Sequence, residues 1–186
     1  MKLITSEFVI QTDTCQLEYL EFEETDRIKW KKIFDEWKSL KLAMRDYRAR
    51  EPNFPEGLSE VAFCLWSGSV RKVKCSGPHG SFDTFNIQKK RMEQVKACSV
   101  ERDLTSFGPN SVWDDLFFMD FWNDGDVNGL FDVYRVPNEL IYSYKVNRNQ
   151  SFRQQQAQGR RPRFSLKELI SEKKIKPVGS TVKVWH

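Results

Sequence analysis

His79–Cys98, HGSFDTFNIQKKRMEQVKAC, contains two short runs of strand-forming residues around a polar turn, Asn86 to Lys90. Asp83 lies on the first run and Gln94-Val95-Lys96 on the second. Side chains alternate across a strand, so residues i and i+2 share a face. Met92, Gln94 and Lys96 therefore point one way, and Glu93 and Val95 the other. The stretch predicts a hairpin that presents an acid, an oxygen ligand and a lysine together.

Working outward, residues 70–75 (VRKVKC) read as a further strand, with Ser76-Gly77-Pro78 as the turn after it. Strands over about 70–75, 81–85 and 91–98 make an antiparallel meander. Before it, Leu58, Val61, Ala62 and Leu65 mark a helix from about Pro55 to Trp66, with Gly68 as its stop. Glu60 lies on this helix beside the apolar stripe, and alone it reads as an ordinary exposed glutamate. Pro52 and Pro55 separate it from a longer helix over about 26–48. There Trp30, Ile33, Phe34, Trp37, Leu40, Met44 and Tyr47 fall at helical spacing. Core packing is the simplest account of that stripe, and a partner helix at a dimer interface would look the same. Residues 1–25 are a strand or an irregular lead-in.

Downstream, 99–110 is a polar loop containing Gly108-Pro109, and Ser111 with Asp114 predicts a short helical turn. Leu116–Phe121 and Leu130–Val136 read as strands either side of the acidic turn Asn123-Asp124-Gly125-Asp126. Pro137 opens a short helix. Asn147–Arg163, NRNQSFRQQQAQGRRPR, is nearly free of aliphatic residues. Ser165 to Glu168 is a capping box for a last helix ended by Pro177, and Thr181–Trp185 alternates as a terminal strand.

The 186 residues suffice for one domain with a real core, and 39% hydrophobic and 13% aromatic content argues against disorder. The chain divides into an N-terminal helical and dimerisation region (1–50), a catalytic core (51–136) and a basic region (137–186). No run of about 18 apolar residues exists and MKLITSEFVIQTD lacks a signal-peptide pattern, which predicts a cytoplasmic protein with no membrane partner. Cys15, Cys64, Cys75 and Cys98 are scattered and read as reduced core thiols. A zinc site from Cys75 and His79 with Cys64 or Cys98 matches no finger spacing. Net charge is +4, unevenly placed: residues 133–186 hold twelve Lys and Arg against three Glu, a net +9. Such a surface suits a polyanion; a solvated basic face is the plainer alternative.

Phosphodiester cleavage needs charge neutralisation at the phosphate and an activated water, which hard divalent cations such as Mg²⁺ provide through oxygen ligands. Asp83, the Gln94 side-chain carbonyl and the Val95 main-chain carbonyl can supply them. Lys96 can orient the water or hold the scissile phosphate. Asp114, Asp115, Asp120, Asp124, Asp126 and Asp132 form a rival acidic set, although Asp124-Gly125 and Asn128-Gly129 read as turn chemistry. With only His79 and His186, histidine-based catalysis is poorly supported.

Asp83, ten residues, then Gln94-Val95-Lys96 resembles the signature of PD-(D/E)XK nucleases, and Glu60 fits the auxiliary acid that some members carry on the preceding helix. The motifs GSFD, QVKA, DLTSFGP, DGDVNGLFDVY and QGRRPRF resemble a small family of type II restriction endonucleases that cut the interrupted palindrome GCNGC. This covers about residues 56–178. The resemblance implies an α/β fold, a mixed α+β sheet with a restriction-endonuclease-like core. Its order is helix, three-strand antiparallel meander, crossover and strand, flanked by helices. Phe82 departs from the family's proline, and Gln94 replaces its second acid, removing one negative charge from a metal site. Glu93 is adjacent, and a β-bulge would swing it inward; alternation favours Gln94, with Glu60 restoring the charge.

Such enzymes read base edges in a groove and use phosphate contacts for register. Arginine bidentate to guanine is the commonest base contact, and Arg160, Arg161 and Arg163, braced by Pro162, suit a G/C-rich site. Gln154, Gln155, Gln156 and Gln158 can add contacts, with Arg148 and Arg153 on phosphate. Otherwise Asn147–Arg163 is a flexible polar loop without a partner. Ser106–Pro109 is a second candidate loop, at the mouth of the site. A palindrome implies a homodimer on double-stranded DNA, leaving 5′-phosphate and 3′-hydroxyl ends. Rival readings are a repair or modification-dependent nuclease of the same fold and a non-catalytic DNA-binding module.

Overall fold

The structure, a computed structural model, describes residues 1–77, 80–122 and 125–185. The expectations for Pro78, His79, Asn123, Asp124 and His186 lie outside the described residues. An eight-stranded sheet runs from near one end of the chain to the other, in the order β1-β2-β3-β4-β5-β7-β8-β10. Its strands are β1 (Lys2–Ile10), β2 (Asp13–Glu21), β3 (Val70–Cys75), β4 (Thr84–Asn86), β5 (Arg91–Cys98), β7 (Asp115–Asp120), β8 (Phe131–Val136) and β10 (Gly179–Val182). All neighbours are antiparallel except β5 and β7, which run parallel. A two-stranded ribbon, β6 (Thr105–Ser106) with β9 (Arg163–Phe164), stands apart. The helices are α1 (Glu24–Asp46), α2 (Glu56–Ser67), α3 (Asn138–Ser143), α4 (Phe152–Ala157) and α5 (Leu166–Glu172). This mixed sheet with flanking helices is the expected fold class, and the meander is β3-β4-β5.

Both faces of the central strands are covered, which is why LFFM in β7 is apolar without alternation. Val95, Met119, Phe121, Phe131 and Val133 pack under α1 and α2. Leu116, Phe118 and Val136 pack on the other side with Phe107, Phe152, Phe164 and the α5 residues Leu166, Leu169 and Ile170. The hairpin end has its own cluster around Leu17, Tyr19, Phe82 and Phe85.

Several sequence expectations are corrected. The lead-in is a full hairpin, β1–β2, paired from Lys2↔Glu21 to Ile10↔Asp13. On α1 the buried stripe is Asp26, Trp30, Phe34, Trp37 and Lys41, whereas Ile33 (51%), Leu40 (54%) and Tyr47 (85%) are exposed. The large rings set the inward face: Phe34 lies 5.3 Å from Trp30 and 5.7 Å from Trp37, and Trp37 lies 4.9 Å from Phe54. Ser111 to Asp114 forms no helical turn, because the Asp114 carboxylate accepts from the Met92 N–H (2.8 Å) and ties the loop to β5. The first run of the hairpin is regular strand only over Thr84–Asn86, with Phe82 buried and Asp83 at a bend. Asn147–Arg163 is an ordered arm, in which Ser151 caps α4 and Phe152 anchors it in the core.

Candidate active site

The β4 strand is short, and this opens an edge of β5. The Asp83 N–H donates to the Glu93 carbonyl (3.0 Å), the last rung between the two strands. Main-chain groups alternate between strand edges, so Val95 faces the same edge two residues farther on. Its N–H donates to Asp83 Oδ2 (2.9 Å), and its carbonyl points to that edge as well. Opposite Asp83, the 97%-buried Gln94 donates its amide to the same oxygen. Gln94 Oε1 is buried without a hydrogen-bond partner among the described residues. Glu93 turns the other way and accepts from Thr84 Oγ1 (2.9 Å); alternation, not a bulge, decides which of the two side chains meets Asp83.

Asp83, Val95, Lys96 and Glu60 line one cleft of about 400 Å³, together with Lys41, Glu56, Thr105 and Ser106. The Lys96 ammonium makes no hydrogen bond or ion pair with the described residues, although the residue itself pairs with Phe118 in the sheet. Glu60 is not the exposed glutamate that its context suggested. Its side chain is 14% exposed, and it accepts from Arg71 on β3 at 2.5 Å. Burial raises its pKa, and the charge of Asp83 adds to the rise. Burial likewise raises the Asp83 carboxyl, against the pull of Lys96, the Val95 N–H and Lys72. Two carboxyls raised by burial and lining one cleft mark it as a candidate functional site.

Sequence reasoning missed Arg71 and Lys72. The β3–β4 register pairs Arg71 with Thr84, which sets Lys72 across from Asp83, and the Lys72 N–H donates to the Asp83 carbonyl (3.0 Å). Burial lowers the Lys72 pKa; its ammonium donates to the Gly80 carbonyl and sits 5.0 Å from the Phe82 ring centre.

The two candidate DNA-reading loops meet. Ser106 pairs with Arg163 and Thr105 with Phe164 across the β6–β9 ribbon, and the Phe107 N–H donates to the Pro162 carbonyl (3.0 Å). Gln156 donates to the Gly108 carbonyl (3.1 Å), closing the second link between the loops. Arg148, Arg153, Gln158, Arg160, Arg161 and Arg163 are exposed, with Arg153 stacked 5.0 Å over Tyr142. Because Ser106 lines the cleft, the basic arm borders it directly.

The rival acids are dispersed. Asp115 is held by Arg91 and Arg135, Asp120 by Lys167 (2.9 Å) and Asp126 by Lys38 (3.3 Å). Asp132 accepts from the Thr181 N–H. Among the described residues no three His, Cys, Asp or Glu side chains converge as a metal cluster. Cys15, Cys64 and Cys98 are buried and all four cysteines are free, with burial pushing Cys98 up to about 11. Among the described residues no helix is long and apolar enough to cross a membrane.

Comparison with known proteins gives one consistent result. A family model described as Bsp6I restriction endonuclease matches residues 22–173. The type II restriction enzyme Bsp6I of Bacillus sp. (strain RFL6) is 33% identical over 144 residues, covering 76% of this chain and 79% of that protein. No solved structure matches the chain.

Proposed function

The chain belongs to the Bsp6I restriction endonuclease family, and as a type II restriction endonuclease we propose that it makes Mg²⁺-dependent double-strand breaks at a short G/C-rich palindrome of the GCNGC kind. One observation carries the chemistry: where β4 ends, Asp83 lines a cleft with Val95, Lys96 and Glu60, and the Gln94 amide and the Val95 N–H, Gln94 buried behind the cleft wall, both donate to its carboxylate. On this reading the site is that of a PD-(D/E)XK nuclease. Its catalytic residues are Asp83, Gln94, Lys96 and Glu60.

The donor set fits a hard divalent cation. Gln94 Oε1 is a buried oxygen without a partner among the described residues, and Asp83 is a half-buried carboxyl at the cleft wall. Asp83, Gln94, the Val95 carbonyl and Glu60 would hold the ion, all through oxygen. When bound, Mg²⁺ neutralises charge at the phosphate and makes an attacking water more acidic. With a neutral amide in place of the second acid, the set suits one ion better than two. Lys96, free of any carboxylate clamp among the described residues, orients the water or holds the scissile phosphate. Arg71 keeps Glu60 aimed from α2.

Recognition falls to the arm and ribbon. Arg160, Arg161 and Arg163 read guanine edges with Gln156 and Gln158, Arg148 and Arg153 touch phosphate, and Ser106 stands between arm and cleft. The palindrome calls for a homodimer, built through residues 1–50, acting on double-stranded DNA in the cytoplasm.

The test is a plasmid of known sequence incubated with Mg²⁺ or EDTA, using wild type, Asp83→Ala and Lys96→Ala. Discrete fragments that require Mg²⁺ and vanish in both variants are expected, and end-sequencing gives the site. Cleavage persisting in both variants would sink the site assignment.

A further inference from the structure

Phe152 anchors the arm at residues 147–163 in the core, and beyond that ring side-chain amides hold it, one glutamine joining most of them. Gln150 is fixed by its main chain: its N–H donates to Asn147 Oδ1 (2.9 Å) and its carbonyl accepts from the Val146 N–H (3.0 Å). Its side-chain Oε1 accepts from Arg160 Nη1 (3.3 Å) and from Gln155 Nε2 (3.4 Å), and its Nε2 donates to Gln158 Oε1 (2.8 Å). Gln155 is buried, and its carbonyl accepts the Arg160 N–H (3.0 Å). Arg160 is therefore held at its main chain and at one terminal nitrogen. Its Nε and Nη2 have no partner among the described residues. Those two donors form one edge of the guanidinium fork, which matches guanine O6 and N7.

The acceptor's type matters as much as its position. Arg27, Arg45, Arg71, Arg91 and Arg135 are all held by carboxylates, which orient an arginine but cancel its charge. An amide oxygen orients Arg160 and leaves the full cation for a polyanion. We propose that Gln150 is a specificity-determining positioning residue that aims Arg160 at a DNA base edge. This rests on the reading of the chain as a DNA-cleaving enzyme whose arm meets the bases.

The experiment compares wild type, Arg160→Ala, Gln150→Met and Gln150→Glu on duplexes carrying the site found by end-sequencing. Each further duplex has one base pair changed, and the ratio of cognate to altered cleavage rates is read position by position. Arg160→Ala and Gln150→Met lose discrimination at the same base pair and its symmetry mate, each by about tenfold or more, and keep it elsewhere. Gln150→Glu keeps the acceptor but neutralises the cation, so binding weakens on all sequences and its salt dependence flattens. The inference is overturned if Gln150→Met keeps the wild-type ratio where Arg160→Ala loses it. An even loss at every position, as a loosened arm would give, overturns it too. If Arg160→Ala keeps every ratio, this inference falls while the cleavage reading stands. If wild type yields no discrete fragments under any methylation state, both fall together.

Discussion

Replacing Gln94 by glutamate tests the site without measuring cleavage. The Gln94 amide donates to Asp83 Oδ2 in a position 97% shielded from solvent. Glutamate has nearly the same shape but no N–H to give. The variant loses a hydrogen bond to a charged group, about 1.5–3 kcal/mol, and brings two buried carboxylates together. Two acids at one site raise each other's pKa until they share a proton. Without metal at neutral pH, a cost of about 3 kcal/mol follows, which for a chain of this size lowers Tm by roughly 6–12 °C. A divalent cation reverses the sign, since the added charge now faces an ion. At Mg²⁺ about 100 times its Kd, binding alone returns about 2.7 kcal/mol. Thermal unfolding of wild type and Gln94→Glu, each in EDTA and in Mg²⁺, reads both effects. Equal Tm values in EDTA refute the coupling of residues 83 and 94. A gap that Mg²⁺ leaves untouched refutes this pair as the seat of the ion.

Two further perturbations follow from the same physics. Asp103 accepts from Ser165 Oγ (2.5 Å), the Leu166 and Lys167 N–H groups at the start of α5, and Thr105 Oγ1 (2.8 Å); Asp103→Ala should cost about 2 kcal/mol in chemical denaturation, with Asp103→Asn recovering part of it. Burial raises the pKa values of Asp83, Glu60 and Glu93, so their contribution to folding is complete below the ordinary carboxylate range and is lost as pH rises through the raised values. Denaturation midpoints of wild type against Asp83→Asn over that window should differ by a pH-dependent amount; a constant difference would contradict the raised Asp83 value.

What the sequence makes legible follows local rules, and what it hides depends on partners. Period-2 alternation is enough to turn Gln94 rather than Glu93 toward Asp83, and Gly68, at φ 75°, ends α2 where glycine is the natural stop. The β1–β2 hairpin lacks turn chemistry: Gln11, at φ 57°, takes the position that Asn or Gly usually marks. On α1, period 3.6 finds the helix but cannot rank Trp30 and Phe34 above Ile33 and Leu40, because ring packing against Phe54 and Trp185 decides the rotation. Glu60 looks free until the β3 register delivers Arg71. The Gln-rich arm could also be read as a flexible polar loop, because the Phe152 anchor, the Ser151 cap on α4 and the side-chain amides do the holding that aliphatic residues do elsewhere.

The β6–β9 ribbon is only two residues long on each side, yet one of its rungs has Ser106 at the cleft on one end and Arg163 in the arm on the other. Anyone retargeting this enzyme therefore inherits an indivisible module. A graft of 147–164 from a relative, made without 105–108, would meet a foreign partner for β9 and for Gln156. If the arm reads the bases and the cleft cuts, as proposed, altered sequence preference and lost turnover should then appear in the same clones, because two rungs and the Gln156–Gly108 bond tie one to the other.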